Sequence, residues 1–356
     1  MKFSFGDKRR IDSLDVLKCL ACIAVVLIHY PFAGKDVPVV FSSAVKVMCR
    51  FAVPLFFAIS GYFCLDGDGQ LLPASKLVAK IRHIFKIGVW ASLFYYAFIL
   101  VRSPMMDPTW TWSAYWRGHF DAIHIIRFFL TTDPFCHAHL WFLMGLILCY
   151  LTMLFVDSRC KMKVLLCSAP VLLVAFSLMQ EFKVIPSWFR IYGVQGGGIV
   201  LCNNYIFRAL PFFAFGLMMK VFRRLLRELR IPVFLLPSLV VLGLCCSVGE
   251  MLLLENASCQ FYFGSYVTAF SLLLWGIRAD GLEAPCLAFA GRELSLYVYI
   301  LHIACAQTLV TYGKFHHWWG KSWYEWAHPL MTIGLSFAIA FLVFEIKALI
   351  NRRFGE

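Results

Sequence analysis

The chain has 356 residues, of which 61% are hydrophobic and 15% charged, and its mean hydropathy is +0.75. Soluble domains carry about 25% charged residues, so this composition excludes an ordinary water-soluble fold and indicates an integral membrane protein. We attribute the formal net charge of +13 to Lys and Arg retained on the cytoplasmic side of a membrane, and we expect no nucleic-acid partner.

Apolar stretches that can cross a ~30 Å hydrocarbon layer recur along the whole chain. They predict an all-α fold: a polytopic integral membrane helical bundle of about ten transmembrane helices, surrounded by membrane lipids, in a single domain over residues 1–356. The first stretch has no cleavage site after it, so we expect it to remain as a span. The predicted spans are Leu14–Phe32, Ala44–Leu65, Ile84–Val101, Leu140–Val156, Val164–Met179, Ala209–Val221, Val233–Leu254, Phe261–Ile277, Cys286–Thr311 and Pro329–Ile350.

Positive charge in the connecting loops predicts the orientation. Lys and Arg are about twice as frequent in the loops on the side of the N-terminus as in the others, which predicts that both termini are cytoplasmic. Three outer segments stand out, namely Arg102–His139, Gln180–Arg208 and the Trp- and His-rich Tyr312–His328. They are consistent either with an extracytoplasmic vestibule or with aromatic anchors at the membrane interface.

The first span carries a polar seam. Lys18 and His29 are eleven residues apart, which places them ~20° apart around a helix and ~16 Å apart along it, with Asp15 and Cys22 on the same stripe. Ionisable groups inside a span are costly and indicate a functional site. His29 suits a proton-transfer role at neutral pH, although a histidine at the outer interface that bonds a carbonyl would look the same. Lys18 could equally snorkel to the surface and pair with Asp15.

Later segments add further candidate residues. Arg50 lies towards the outer end of the second span and Ser60-Gly61 at its cytoplasmic end, and the basic segment Lys76–Lys86 contains Arg82 and Lys86. Such a segment can bind lipid headgroups or the phosphates of a cofactor. His139 and Trp141 open the fourth span, and His302 lies deep in the ninth. The 14 cysteines show no metal-ligand spacing, so we expect buried free thiols and no metal.

Four of these segments occur in an order that resembles the acyltransferase-3 family of bacterial membrane O-acyltransferases. They are Lys18 with His29, the segment Pro54–Tyr62, the segment His139–Leu143, and the segment Leu294–His302. The resemblance implies a protein of the bacterial inner membrane that uses cytoplasmic acetyl-CoA, or another acyl-CoA, as co-substrate. The acceptor it implies is a sugar hydroxyl of a surface glycan or of a lipid-linked precursor.

Together with helix geometry, the resemblance assigns provisional roles. His29 would activate the acceptor hydroxyl or carry the acyl group, with Lys18 and Asp15 beside it as catalytic residues. Ser60, Arg82 and Lys86 would bind the acyl donor, and the substrate-binding residues would be Arg50, His139, Trp141 and His302. The family often has Arg where this chain has Lys18. A guanidinium can donate two parallel hydrogen bonds to one phosphate or carboxylate, whereas the Lys18 ammonium cannot.

Two other classes of protein fit the composition. A transporter or flippase of a glycolipid or small solute would also have about ten spans and intramembrane charges. However, the sequence contains no pair of Gly- or Pro-interrupted spans in corresponding halves, which is the usual sign of a transporter site. A sensor or scaffold protein explains the motifs least.

Overall fold

The computed structural model describes residues 11–120, 122–131, 137–184, 190–191, 199–279 and 284–354, and most of these lie in α-helices. Three 3-10 turns, a π-helical turn and two short paired strands complete the secondary structure of this part of the chain. The helices are α1 Asp12–His29, α2 Val39–Met48, α3 Ala52–Tyr62, α4 Ala74–Met106, α5 Trp112–His119, α6 Ala122–Thr131, α7 Trp141–Leu154, α8 Arg159–Gln180, α9 Tyr205–Arg208, α10 Leu210–Val221, α11 Arg223–Glu228, α12 Leu235–Leu253, α13 Phe263–Arg278, α14 Pro285–Phe289, α15 Ser295–Phe315 and α16 Ser322–Phe354. The 3-10 turns are Cys49–Phe51, Ala138–Leu140 and Leu201–Asn203, the π-helical turn is Ala290–Leu294, and strands β1 Arg190–Ile191 and β2 Ile199–Val200 pair antiparallel.

Six helical segments of the described chain are long and apolar enough to cross a membrane. The predicted helical membrane protein is therefore confirmed. The six are Val39–Tyr62, Ala74–Met106, Arg159–Gln180, Leu235–Leu253, Pro285–Phe315 and Ser322–Arg353, and two shorter apolar helices are Ala138–Leu154 and Leu210–Val221.

The remaining two predicted spans correspond to α1 and α13. Helix α1 has 18 residues but carries Asp12, Asp15 and Lys18 in its first two turns, and α13 has only 16 residues. Both helices therefore form, but α1 is too charged and α13 too short to count among the six segments that are long and apolar enough to cross a membrane. The count of ten spans and the cytoplasmic position of the termini remain predictions.

The long helices expose apolar side chains, as expected of surfaces solvated by lipid. On α4, Phe85 is 57% exposed, Trp90 72% and Val101 66%. Apolar faces of this extent would be a liability in water, whereas hydrocarbon solvates them without cost as long as the backbone is bonded within the helix.

The chain divides into two compact units. The first comprises Met1–Phe56, Arg230–Ala257 and Tyr262–Glu356, and the second comprises Phe57–Leu229 and Ser258–Phe261.

In the first unit, α1 runs parallel to the continuous helical segment Pro285–Phe315. Gly291 lies against the start of α1, where an added Cβ would collide with the Asp15 carbonyl and lie 2.9 Å from the Cys19 nitrogen. About one helical turn further along both helices, the Cys22 thiol contacts the Ser295 carbonyl oxygen at 3.3 Å. The lack of a side chain at Gly291 thus allows the two backbones to touch, as small residues do at membrane helix interfaces.

Helices α12 and α13 of the same unit also meet through glycines. An added Cβ at Gly243 would lie 2.8 Å from the Gly264 carbonyl oxygen. The Glu250 carboxylate accepts hydrogen bonds from the Phe263 and Gly264 backbone nitrogens, at 2.8 and 3.0 Å. A carboxylate at this position satisfies the unbonded amides at the start of α13 and interacts favourably with the helix dipole.

In the second unit, the end of α3 packs closely on α10. An added Cβ at Gly61 would collide with the Phe213 carbonyl, and one at Gly216 would collide with the Ala58 carbonyl. The small residues at Gly61 and Gly216 therefore let the backbones of α3 and α10 approach closely. Phe57 extends this contact to α7, where its ring centroid lies 4.6 Å from that of Phe142.

Candidate functional site

Helix α1 carries the polar seam along the side that faces α14 and α15. At its first turns, the Lys18 ammonium donates to the Asp15 carboxylate at 2.9 Å, in the i,i+3 arrangement that the sequence indicates. Only 25% of the Lys18 side chain and 12% of the Asp15 side chain are exposed, so the pair is partly desolvated. Both acidic residues of the first turn also lie at the positive end of the helix dipole.

Two histidines meet at the opposite end of this seam. His29 is the last residue of α1 and is exposed, whereas His302 on α15 is fully buried. Their ring centroids lie 5.3 Å apart, with the planes tilted by 42°. The two histidines that the sequence placed in separate spans are therefore neighbours in space.

The hydrogen bonds of His302 define its tautomer. Its Nδ1 lies 2.8 Å from the Tyr299 carbonyl oxygen and 3.2 Å from that of Val298. Since a carbonyl oxygen can only accept, Nδ1 carries the proton, and in the neutral ring Nε2 keeps its lone pair. A buried neutral imidazole of this kind can accept a proton or orient a neighbouring ring.

His29 also lines a pocket of about 520 Å³ in the first unit. The loop that follows α1 forms one side of the pocket, and the start of α16 forms the other. The lining residues are His29, Tyr30, Pro31, Ala33, Gly34, Lys35, Trp319, Glu325 and His328.

Glu325 is the buried acid of this pocket. It is 9% exposed, and its carboxylate accepts a hydrogen bond from the Lys35 backbone nitrogen at 2.9 Å. Gly34 makes the close approach possible, because an added Cβ there would collide with the Glu325 carboxylate. The loop after α1 and the first turn of α16 are thereby fixed together.

Sequence analysis missed Glu325, Trp319 and His328 as individual site residues. The sequence feature that could have indicated them is the Trp- and His-rich segment Tyr312–His328, which is consistent with either an extracytoplasmic vestibule or a set of interfacial anchors. In the structure this segment is mainly the end of α15 and the start of α16, and three of its residues line the pocket. Arg50, which the sequence assigned to substrate binding, lies half-buried in the 3-10 turn Cys49–Phe51 and is not among the lining residues.

The predicted donor-binding residues all belong to the second unit. The half-buried Ser60 hydrogen-bonds Tyr150, whereas Arg82 and Lys86 are exposed on α4. A different lysine of the same segment approaches the Tyr150 ring: the Lys80 ammonium lies 5.1 Å from the ring centre and donates to the Phe63 carbonyl at 3.2 Å. Sequence analysis included Lys80 in the basic segment but did not single it out.

A lysine from another helix approaches the same end of α3. The Lys220 ammonium lies 4.8 Å from the centre of the Tyr62 ring. No feature of the sequence links Lys220 to this position, because it is the packing of α10 on α3 that brings it there.

His139 and Trp141 lie at the start of α7. His139 is 4% exposed, with its ring centroid 5.1 Å from that of Tyr95, and the Arg208 guanidinium stacks 4.0 Å from the centre of the Trp141 ring. Arg208 is itself only 7% exposed, which makes it a buried cation that the sequence did not indicate. Burial lowers the pKa of the neighbouring His137 to about 4, with a further contribution from nearby positive charge.

The described residues contain no group of three or more His, Cys, Asp or Glu side chains placed to hold a metal ion. Among the described cysteines, Cys160, Cys167, Cys245 and Cys286 are exposed rather than buried as expected. The first unit thus has the neighbouring rings of His29 and His302 and, in the pocket lined by His29, the Glu325 carboxylate, which are side chains that can accept and donate protons.

Six apolar helical segments long enough to cross a membrane place the chain in the class of helical integral membrane proteins. The family model described as an acyltransferase domain matches residues 11–345, nearly the whole chain. The protein therefore belongs to the acyltransferase-3 family and is a membrane acyltransferase, and the resemblance of its motifs is confirmed. Searches of curated proteins and of solved structures gave no match to the chain.

Proposed function

We propose that this protein is an O-acyltransferase that moves an acetyl group from cytoplasmic acetyl-CoA to a hydroxyl of a sugar in an extracytoplasmic or lipid-linked glycan. The bacterial inner membrane is the proposed location, with about ten spans and both termini in the cytoplasm. The observation that carries the proposal is the contact between His29 and His302 at a pocket, in a chain whose family membership makes it an acyltransferase.

In the proposed reaction, His29 acts as general base. The acceptor hydroxyl loses its proton to His29 while its oxygen attacks the thioester carbonyl carbon. The carbon–sulfur bond then breaks, and the proton passes from His29 to the departing CoA thiolate. General-base assistance of this kind contributes about 10²–10⁴-fold in rate, and positioning of the reactants contributes further.

The proposed donor site lies at the cytoplasmic ends of the helices. Ser60, Arg82 and Lys86 are the donor-binding residues, and Lys80 joins them because its ammonium lies beside Phe63, close in sequence to Ser60. Phosphate groups of CoA favour such cations. Lys18 and Asp15 would form the charged cytoplasmic end of the α1 seam, and Arg50, His139, Trp141 and His302 are proposed to bind or orient substrate.

The test is the transfer of radiolabelled acetyl from acetyl-CoA to glycan in membranes that contain the protein. Wild type should transfer label, and His29→Ala should lose at least 10²-fold of the rate. His316→Ala is the matched control, because His316 is exposed and does not line the pocket. Equal amounts of each variant in the membrane fraction are required for the comparison.

Two results would overturn the proposal. Full activity of His29→Ala would remove His29 from the mechanism. Absence of transfer by wild type, with native glycan and several acyl-CoA donors present, would exclude the proposed donor and acceptor pair.

A further inference from the structure

The pocket beside His29 has more polar and aromatic groups than proton transfer requires. Its volume of about 520 Å³ falls within the ~300–1,000 Å³ that is usual for small-molecule sites. Glu325, His328 and Trp319 line it, and the mechanism uses none of them.

Two of the buried hydrogen-bonding groups of the pocket are acceptors, on Glu325 and His328. The Glu325 carboxylate can only accept when it is ionised. His328 is 5% exposed, and its Nε2 lies 3.3 Å from the Ala306 carbonyl oxygen, so Nε2 carries the proton and Nδ1 of the neutral ring is an acceptor. A ligand that suits these groups donates hydrogen bonds, as hydroxyl groups do.

The charge of the pocket is balanced. Lys35 lines the pocket beside Glu325, so one cation and one anion are present when the histidines are neutral. A phosphate or carboxylate ligand would be attracted by the Lys35 ammonium and repelled by the Glu325 carboxylate. Because these two effects oppose each other, the pocket offers no net positive charge to an anion, and its acceptor groups favour an uncharged, hydroxyl-rich ligand.

Aromatic rings supply the apolar part of the wall. Trp319 is 45% exposed, and its ring stands nearly perpendicular to that of His328, at 88° and 5.7 Å. Tyr30 lies on the same histidine, with ring centroids 5.8 Å apart. The negative face of an indole attracts the partly positive C–H groups of a sugar ring, which are the apolar side of an otherwise hydroxylated ligand.

We propose that this pocket binds one uncharged sugar ring of the acceptor, with Glu325 accepting from its hydroxyl groups and Trp319 stacking on its C–H face. The site rests on the proposed function only for the statement that the bound sugar is acylated. His29 lines the same pocket, so a hydroxyl of the bound ring lies next to the proposed base. Because the loop after α1 is fixed to Glu325 through the Lys35 backbone nitrogen, the acid and His29 are held together.

Binding can be tested without any acyl donor. Saturation-transfer NMR on the purified full-length protein in detergent would use methyl glucoside, methyl galactoside and methyl N-acetylglucosaminide, with methyl glucuronide as the charged comparison. At least one neutral glycoside should receive saturation from wild type, and the glucuronide should receive less. Glu325→Gln and Trp319→Ala should each weaken the signal, corresponding to about tenfold or more in affinity.

Matched controls lie on the same helix. Glu345→Gln and Trp323→Ala remove the same side chains outside the pocket lining and should keep the wild-type signal. Lack of saturation transfer to wild type from every neutral glycoside would overturn the proposal, and so would equal signals in Glu325→Gln and Glu345→Gln.

Kinetics separate this proposal from the proposed function. In the acetyl-transfer assay, Glu325→Gln should raise KM for the glycan acceptor about tenfold while KM for acetyl-CoA stays unchanged. Sugar binding without acetyl transfer would retain the pocket and reject the acyltransferase reaction with these substrates. Acetyl transfer with an unchanged acceptor KM in Glu325→Gln would retain the reaction and reject the pocket as its acceptor site.

Discussion

A single methyl group at Gly291 should separate the two helices that carry the histidine pair. Gly291 lies in the π-helical turn before α15, and a Cβ at this position would collide with the Asp15 carbonyl and approach the Cys19 nitrogen to 2.9 Å. Both of these atoms belong to the backbone of α1, so no side chain can rotate away. We therefore expect Gly291→Ala to force α1 away from α15.

The change in stability that Gly291→Ala causes is the sum of two opposing effects. Overpacking a close contact costs about 1–3 kcal/mol, while Gly to Ala inside a helix gains up to about 1 kcal/mol. The same substitution at Gly334 in α16 meets no atom within 4 Å, so it receives the gain alone. Thermal unfolding in detergent, followed by tryptophan fluorescence, should place Gly291→Ala below wild type and Gly334→Ala at or above it.

The acetyl-transfer rate of Gly291→Ala should also fall, because the His29–His302 distance depends on how closely the two helices pack. Gly334→Ala should transfer at the wild-type rate. If Gly291→Ala unfolds at the wild-type temperature or above it, the contact between α1 and the Gly291 backbone is not the one described, and the reasoning fails.

Three further predictions concern the stability contributed by Lys18, His137 and Trp141. Lys18→Met should lower stability by about 1–2 kcal/mol in the same thermal assay, because it leaves the partly buried Asp15 carboxylate without its ammonium partner. Lys18→Arg keeps a cation beside Asp15 and should retain most of the wild-type stability. Burial lowers the pKa of His137 from 6.5 to about 4, so the folded state binds this proton more weakly than the unfolded state does. Stability should be complete above pH ~6.5 and fall by up to about 3 kcal/mol as the pH drops towards 4, and His137→Gln should remove this part of the pH dependence. Trp141→Leu should cost about 2 kcal/mol or more, since it removes both aromatic burial and the stacked Arg208 guanidinium; unfolding at the wild-type temperature would contradict a stabilising contact.

Helix geometry made part of the site predictable. The rotation of about 100° per residue placed Lys18, Cys22 and His29 on one stripe, and the structure has Cys22 and His29 both in contact with α15. The pairing of Lys18 with Asp15 followed from the same periodicity. The depth of His302 followed from its place in an apolar run.

Other features depend on tertiary packing that no local pattern contains. The pocket forms because the loop after α1 reaches Glu325. The hydrogen bond that joins them links Lys35 to a residue 290 positions further along the chain. Likewise, Lys76–Lys86 is basic along its length, so the sequence could not indicate that Lys80 would approach Phe63 while Arg82 stays exposed. The count of ten spans stays a prediction for a different reason: α1 and α13 form where the sequence predicts spans, but α1 carries charges in its first turns and α13 has only 16 residues.

The proposed reaction requires His302 to orient the acceptor beside His29, so both residues should contribute to one step, and a double-mutant cycle on the acetyl-transfer rate tests this. His302→Phe keeps a ring in the buried position while it removes the nitrogen atoms, and His29→Ala removes the proposed base. If the two residues act together, His29→Ala should lose about 10²–10⁴-fold, His302→Phe should also lose activity, and the double variant should be no slower than His29→Ala by more than about threefold. If the losses multiply in the double variant, or if His302→Phe transfers acetyl at the wild-type rate, the two histidines do not act in one step.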